Sequence, residues 1–233
     1  MLETTSHSGL DSGALLRRPV SGNTVPQTLP DLLLIERARS GDSSAIEALI
    51  RRYGARLFRV AHSVLLDPQR AEGVVLEAFL AAFADLSRYE PTGKFAAWLT
   101  RLAYGHARAQ RALSRGMHAV AGTPEDIGTG LDSLRERAAL EQSIMALPEV
   151  FRTVYVLRMV EGISGIETAA SLGLHETTVR TRLFRSHRRL PPGTAERLRA
   201  LPPLLELSPE RLEHIATQVL AARAHQGSQG SPP

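Results

Sequence analysis

The chain has 233 residues, no cysteine and a formal net charge of +4, so disulfides and thiolate metal sites are excluded. Hydrophobic content of 43% suits a globular protein, and 5% aromatics with abundant Ala, Leu and Arg favour helices over sheets. No apolar run approaches the roughly 20 residues that span a bilayer, and the opening MLETTSHSGLDSG lacks the apolar core of a secretory signal. No membrane insertion is expected, and the composition is compatible with a cytoplasmic protein.

The charge says more by where it sits than by its size. From His175 to Arg189 there are five arginines against one acid, Glu176. That stretch alone carries a surplus as large as the whole chain's.

In chain order, residues 1–29 lack periodicity and read as a disordered arm. A first helical domain is expected over 30–114. Asp31 starts a short helix to about Ser40 with Leu32, Ile35 and Ala38 on its apolar side. Ser44-Ala45-Ile46-Glu47 has the form of a capping box ahead of an apolar stripe from Ile46 to Val64. Asp67-Pro68 pairs an N-cap with a proline at the first helical position, opening a helix that buries Val75, Ala78, Phe79, Ala82, Phe83 and Leu86. A Pro/Gly loop, Arg88–Lys94, precedes a helix from Phe95 to about Leu113.

Residues 115–132 hold four glycines and a proline and read as a flexible linker. A second helical domain follows over 133–192, divided at Leu147-Pro148 and at Glu161-Gly162 and ended by Pro191-Pro192. Residues 193–233 form an extension with two short helical patterns, Ala195–Leu207 and Pro209–Ala224. The second has an apolar side through Leu212, Ile215, Val219 and Leu220, expected to pack on the second domain in preference to receiving a regulator. The fold class is therefore all-α: two small helical domains joined by a linker.

Within Ser164–Leu183 the constraints of a helix-turn-helix coincide. Ile166, Ala169 and Ala170 are placed on the inner side of the first helix, Gly173 at the turn, and Val179 and Leu183 on the inner face of the second. Opposite that face lie His175, Glu176, Thr177, Thr178, Thr181 and Arg185, all able to hydrogen-bond base edges in a major groove. Arg180, Arg182, Arg188 and Arg189 are better placed for phosphates, which supply affinity without sequence information. A solvated arginine face is the blander alternative; the glycine turn and the spacing to Val179 argue against it.

These residues resemble a known family, the extracytoplasmic-function sigma factors of bacterial RNA polymerase. MALPEVFRTVYVLRMVEGISGIETAASLGLHETTVRTRLFRSHRRL is similar to the family's region 4. ARSGDSSAIEALIRRYGARLFRVAHSVLLDPQRAEGVVLEAFLAAF, with KFAAWLTRLA behind it, is similar to region 2. The resemblance implies a DNA-binding transcription factor whose partners are promoter DNA, core polymerase and an anti-sigma factor. By resemblance, the helix from His175 reads the upstream (−35) element. The helix after Asp67 docks on polymerase through Glu72, Val75, Glu77 and Phe79. Tyr89, Lys94, Trp98, Arg101 and Arg108 engage the downstream (−10) element as it opens. Glu72-Gly73, Leu76, Tyr104-Gly105 and Ala109 depart from the family pattern.

Trp98 reads as core more readily than as a base-stacking platform. The eight histidines form no HExxH-like pair, and no GxxxxGK[ST] or GxSxG is present, so neither a metal, a cofactor nor an enzymatic activity is expected. Two other readings stay open on sequence: a helix-turn-helix regulator that does not join polymerase, and a degenerate sigma-like adaptor that does not open promoters. The first would need a ligand or phosphoacceptor domain, and no β/α alternation is present to make one.

Overall fold

A computed structural model describes residues 29–90, 94–114, 132–200 and 204–229. Ten α-helices are present among them, and no strand. The arm over 1–28 and the linker over 115–131 lie outside the described residues.

The first domain is built from α1 (Asp31–Arg39), α2 (Ser43–Leu65), α3 (Pro68–Ala84) and α4 (Phe95–Leu113), with a 3₁₀ turn at Leu86–Arg88. Pro30, not Asp31, occupies the N-cap of α1, and the Asp31 carboxylate instead accepts from Arg52 and from the Tyr53 hydroxyl on α2. That anchoring turns Leu34, Ile35 and Ala38 inward and leaves Leu32 exposed, against the expectation for Leu32. At α2 the cap is Asp42 rather than Ser44. Its Oδ1 accepts from the backbone N–H groups of Ser44 and Ala45, and hydrogen bonds from Ser44 and Arg37 hold its carboxyl down to about 2. Asp67 caps α3 as expected, accepting from Arg70 N–H, with Pro68 in the first turn.

Ile46, Leu49, Leu57 and Val64 of α2 meet Val75, Phe79 and Phe83 of α3 and Phe95, Leu99 and Ala103 of α4 in one apolar core. Alanines at 71, 78, 82, 103 and 107 let the helix backbones approach closely. The last described helix, α10 (Pro209–Gln229), adds Ile215, Ala216 and Val219 to this same core. The helical pattern from Pro209 thus packs on the first domain, not on the second, while Leu198, Leu204 and Leu205 of the extension stay with the second domain. The buried residues of α10 meet an apolar edge of α2 and α3.

The second domain comprises α5 (Asp132–Met145), α6 (Glu149–Tyr155), α7 (Gly165–Leu172), α8 (Glu176–His187) and α9 (Thr194–Ala200). Val156–Val160 continues α6 as a π-helical turn, ended by Gly162 at φ 66°. One cluster joins Leu140, Ile144, Tyr155, Leu190 and Leu198 to Leu204 and Leu205. A second crosses between the domains: Val60 of α2 lies among Val154, Leu157, Ile163, Ala169, Leu172 and Val179.

Arg152 is the most deeply buried cation, 3% exposed. It donates to the carbonyls of Met145 and Leu147 at the end of α5 and of Ser63 near the end of α2. Burial, and secondarily the charge of Arg111, lowers its pKa to about 10, so it stays protonated at neutral pH. Replacing Arg152 by Met strands three buried carbonyls and is expected to reduce stability by about 3 kcal/mol, read as a lowered denaturant midpoint.

His62 on α2 stacks on Phe58 and is held below the ordinary imidazole value, chiefly by burial and then by the Arg152 charge; Glu141 and Asp67 oppose this. Its contribution to stability is present above the free imidazole pKa of about 6.5 and is lost as pH falls through that value toward the lower folded-state pKa. His62→Gln is therefore expected to lessen the drop in denaturant midpoint between about pH 7.5 and 5.5.

Candidate nucleic-acid interface

Ser164 starts the helix-turn-helix: its Oγ accepts from Glu167 N–H at 3.1 Å, capping α7. Gly173 ends α7 at φ 64°, a left-handed conformation that glycine adopts without strain. From there Leu174 and His175 lead directly into α8. Thr168, Ala169, Ser171 and Leu172 form the inner face of α7, against Val179 of α8. Ile166 and Ala170 were expected inside and are not; Ile166 is 69% exposed. The two fully buried hydroxyl residues, Thr168 and Ser171, take the inner positions because small side chains fit the close crossing.

On α8, His175, Glu176, Thr177, Arg180, Thr181, Arg185 and Arg188 are exposed, while Thr178 and Arg182 are half-buried. None of Arg180, Arg182, Arg185 or Arg188 shares an ion pair with a carboxylate among the described residues. The helix therefore carries positive charge that no carboxylate among the described residues pairs, which is what phosphates require. Arg188 lies over the Phe184 ring at 5.9 Å and Arg189 over Phe151 at 4.5 Å, which hold two guanidinium groups at the C-terminal end of the helix. The Thr181 hydroxyl is occupied within α8, donating to Thr177 O at 2.9 Å. Glu176 leans back on Gly165: its Oε1 would lie 3.3 Å from a Cβ there, at the positive end of the α7 dipole.

In the first domain, Tyr89, Phe95 and Trp98 form one aromatic cluster, with Tyr89 and Trp98 centroids 4.9 Å apart and Tyr89 and Phe95 5.3 Å apart. Tyr89 is buried and Trp98 half-buried, so only Trp98 offers ring surface at the rim. Lys94 stands exposed at the N-cap of α4, and Arg108 is exposed beside the Tyr104 ring at 5.8 Å. On α3, Glu72 and Glu77 reach the surface. Val75 and Phe79 do not. They are 0% and 1% exposed inside the first domain's core and shape α3 from within, so neither can meet a docking partner.

How the two domains meet left no periodic trace in the sequence. Arg101 of α4 lies over the turn of the helix-turn-helix, with Nη2 3.4 Å from the Cβ position of Gly173. Tyr104 packs on the cluster containing Leu174, Val179 and Leu183. The Glu161 carboxylate, 8% exposed, accepts from Arg59 and from Arg56 Nε at 3.3 Å, while Arg56 Nη1 reaches Glu167 at 2.8 Å. Arg111 bridges Glu149 at 3.0 Å and also donates to Val64 O at 2.7 Å. Partners in these pairs lie more than 100 residues apart in several cases, beyond any local pattern.

Residues 49–115 match the family model for sigma-70 region 2, and residues 137–190 match that for sigma-70 region 4. The chain belongs to the extracytoplasmic-function sigma factors. It is 28% identical over 173 residues to the RNA polymerase sigma-H factor of Pseudomonas aeruginosa, covering 67% of this chain and 89% of the relative. With the ECF RNA polymerase sigma factor SigW of Bacillus subtilis the figures are 27% over 175 residues, 67% and 92%. With the ECF RNA polymerase sigma-E factor of Escherichia coli K12 they are 28% over 176 residues, 69% and 92%. Among solved structures, CnrH in complex with the cytosolic domain of CnrY is similar at a TM-score of 0.54 and 27% identity, over 74% of this chain and 99% of that one.

In this sigma factor, then, region 2 is the α1–α4 domain and region 4 carries the helix-turn-helix, and the two meet at Glu161, at Arg152 and along the apolar cluster around Val60. Glu161→Ala leaves Arg56 and Arg59 facing each other across a half-buried contact. The interdomain contact is expected to weaken by about 2 kcal/mol, seen as a larger radius of gyration in small-angle scattering.

Proposed function

We infer that the chain directs bacterial core RNA polymerase to specific promoters. α8 selects the upstream element and the region 2 domain docks on polymerase and holds the opened downstream element. The observation that carries this reading is the set of α8 arginines that no carboxylate of the described residues pairs, on a glycine-turned helix pair in a chain that also has region 2. A helix-turn-helix regulator acting alone has no use for that second domain.

The roles divide by chemistry. His175 at the N-cap, Thr177, Thr178 and Thr181 in the first turns and Arg185 in the last turn of α8 read base edges, while Arg180, Arg182 and Arg188 contact phosphates. Glu72 and Glu77 present carboxylates to a basic surface of polymerase. Lys94, Trp98, Arg101 and Arg108 line the strand-facing side of α4, where an unstacked base can rest on the Trp98 ring. Arg101 reaches DNA only after leaving the helix-turn-helix turn, so promoter engagement requires the domains to part. No helix among the described residues is long and apolar enough to cross a membrane. Work on bacterial polymerase and promoter DNA puts the place of action in the cytoplasm. A protein partner that holds the domains in one arrangement is the natural regulator, as CnrY is found with CnrH.

Reconstituted transcription tests the reading. Purified chain with core polymerase should give promoter-specific RNA; core binding without transcript would favour the adaptor reading, and no core binding would refute both. Replacing Thr178 or Arg185 is expected to change which upstream bases are preferred, with about 1–3 kcal/mol of discrimination lost at the affected position. Arg188→Ala should weaken all sequences alike and reduce the salt slope of binding by about 1.

A further inference from the structure

The C-terminal helix α10 lies along an edge of α3 and α2 and is pinned at several points. Ile215, Ala216 and Val219 are buried against the first domain. Leu212 occupies the space beside Gly54, its Cγ 3.7 Å from the Cβ position there. Arg51 pairs with Glu213 at 3.1 Å. Arg223 donates to Phe83 O at 2.8 Å, its guanidinium 5.7 Å from that ring's centroid.

What α10 covers is specific. The groove between α3 and α10 is lined on the α3 side by Gln69, Glu72, Gly73 and Leu76. Glu72 is ion-paired to Arg211 of α10, and it is one of the two α3 carboxylates that reach the surface. Gly73 and Leu76 are apolar residues on an otherwise outward edge, and they face α10. The attachment is of a kind that can be undone. Its wholly buried apolar residues are few, and Arg211, Glu213 and Arg51 are largely exposed, so their ion pairs contribute little in water. The α1–α4 core is contiguous without α10.

We propose that α10 is an intramolecular cover for the polymerase-docking edge of α3: seated, it occupies Glu72; lifted, it releases that edge to polymerase. This rests on the reading that α3 docks on polymerase. Only the uncovered fraction of the chain is then competent, so the apparent affinity for core polymerase is reduced by that fraction.

The chain has no cysteine, so a Gly54→Cys/Leu212→Cys pair adds the only two, at positions close enough to be bridged with a small shift. With the full chain, the oxidised pair is expected to bind core polymerase at least about tenfold more weakly than the reduced pair. The reduced pair should match the parent chain, which is itself insensitive to reductant. Equal binding by oxidised and reduced forms would overturn the cover. As a second measurement independent of the bridge, a chain ending at Leu207 should bind core about tenfold more tightly than the full chain, and a peptide of residues 208–229 added in trans should reverse the gain. A shortened chain that is folded by circular dichroism yet binds no tighter, or one that does not fold, would assign α10 a structural part and end the proposal. If every folded form, covered or not, fails to bind core, the docking reading itself falls. If all bind equally and Glu77→Ala weakens them all, docking stands and only the cover is lost.

Discussion

The structure depends on what becomes of the carbonyls at the end of α2. A helix leaves its last four carbonyls without partners in the chain, and their dipoles give that end partial negative charge. Here the N–H of Leu66 returns to His62 O, Arg152 reaches Ser63 O and Arg111 reaches Val64 O. Two arginines from elsewhere in the sequence therefore complete one helix terminus. Because Arg152 belongs to α6 and also holds the end of α5, the same guanidinium ties the first domain to the second. A methylene chain could fill that space, but only a planar multi-donor cation can serve three carbonyls from two helix ends.

Around this joint the interface mixes chemistry of different strengths. Val60 among Val154, Leu157 and Val179 is a small apolar patch, and the Arg56–Arg59–Glu161 group beside it is partly buried and fully paired. Buried ion pairs specify a geometry more than they stabilise it, since desolvation offsets much of their attraction. Such an interface favours one arrangement while remaining separable. That suits a protein whose α4 contributes Arg101 and Tyr104 to the packing of the helix-turn-helix and is also the helix proposed to meet DNA.

The surfaces turned partly inward are both in the first domain. The outward face of α8 is open, whereas α4 is partly covered by the second domain and the Glu72 edge of α3 by α10.

Much was legible in the sequence. The helix boundaries, the Asp67-Pro68 start, the Gly173 turn and the outward face of α8 followed from capping, glycine conformational freedom and a 3.6-residue period, all of which act within a few residues. The order of the two blocks carried the family. Where local pattern misled, a tertiary contact had overridden it: Asp31 left its cap for Arg52 and Tyr53, and Thr168 and Ser171 displaced Ile166 and Ala170 from the inner face. At Val75 and Phe79 the helical period was right and the docking role implied by resemblance was not, since both side chains lie in the core. Only the tertiary structure decided that Glu161 meets Arg56 and Arg59, that Arg152 joins the ends of α2 and α5, and that α10 lies on α3. Those contacts depend on which surfaces complement one another after the chain has folded back, and separation along the sequence leaves no periodic trace of that complementarity.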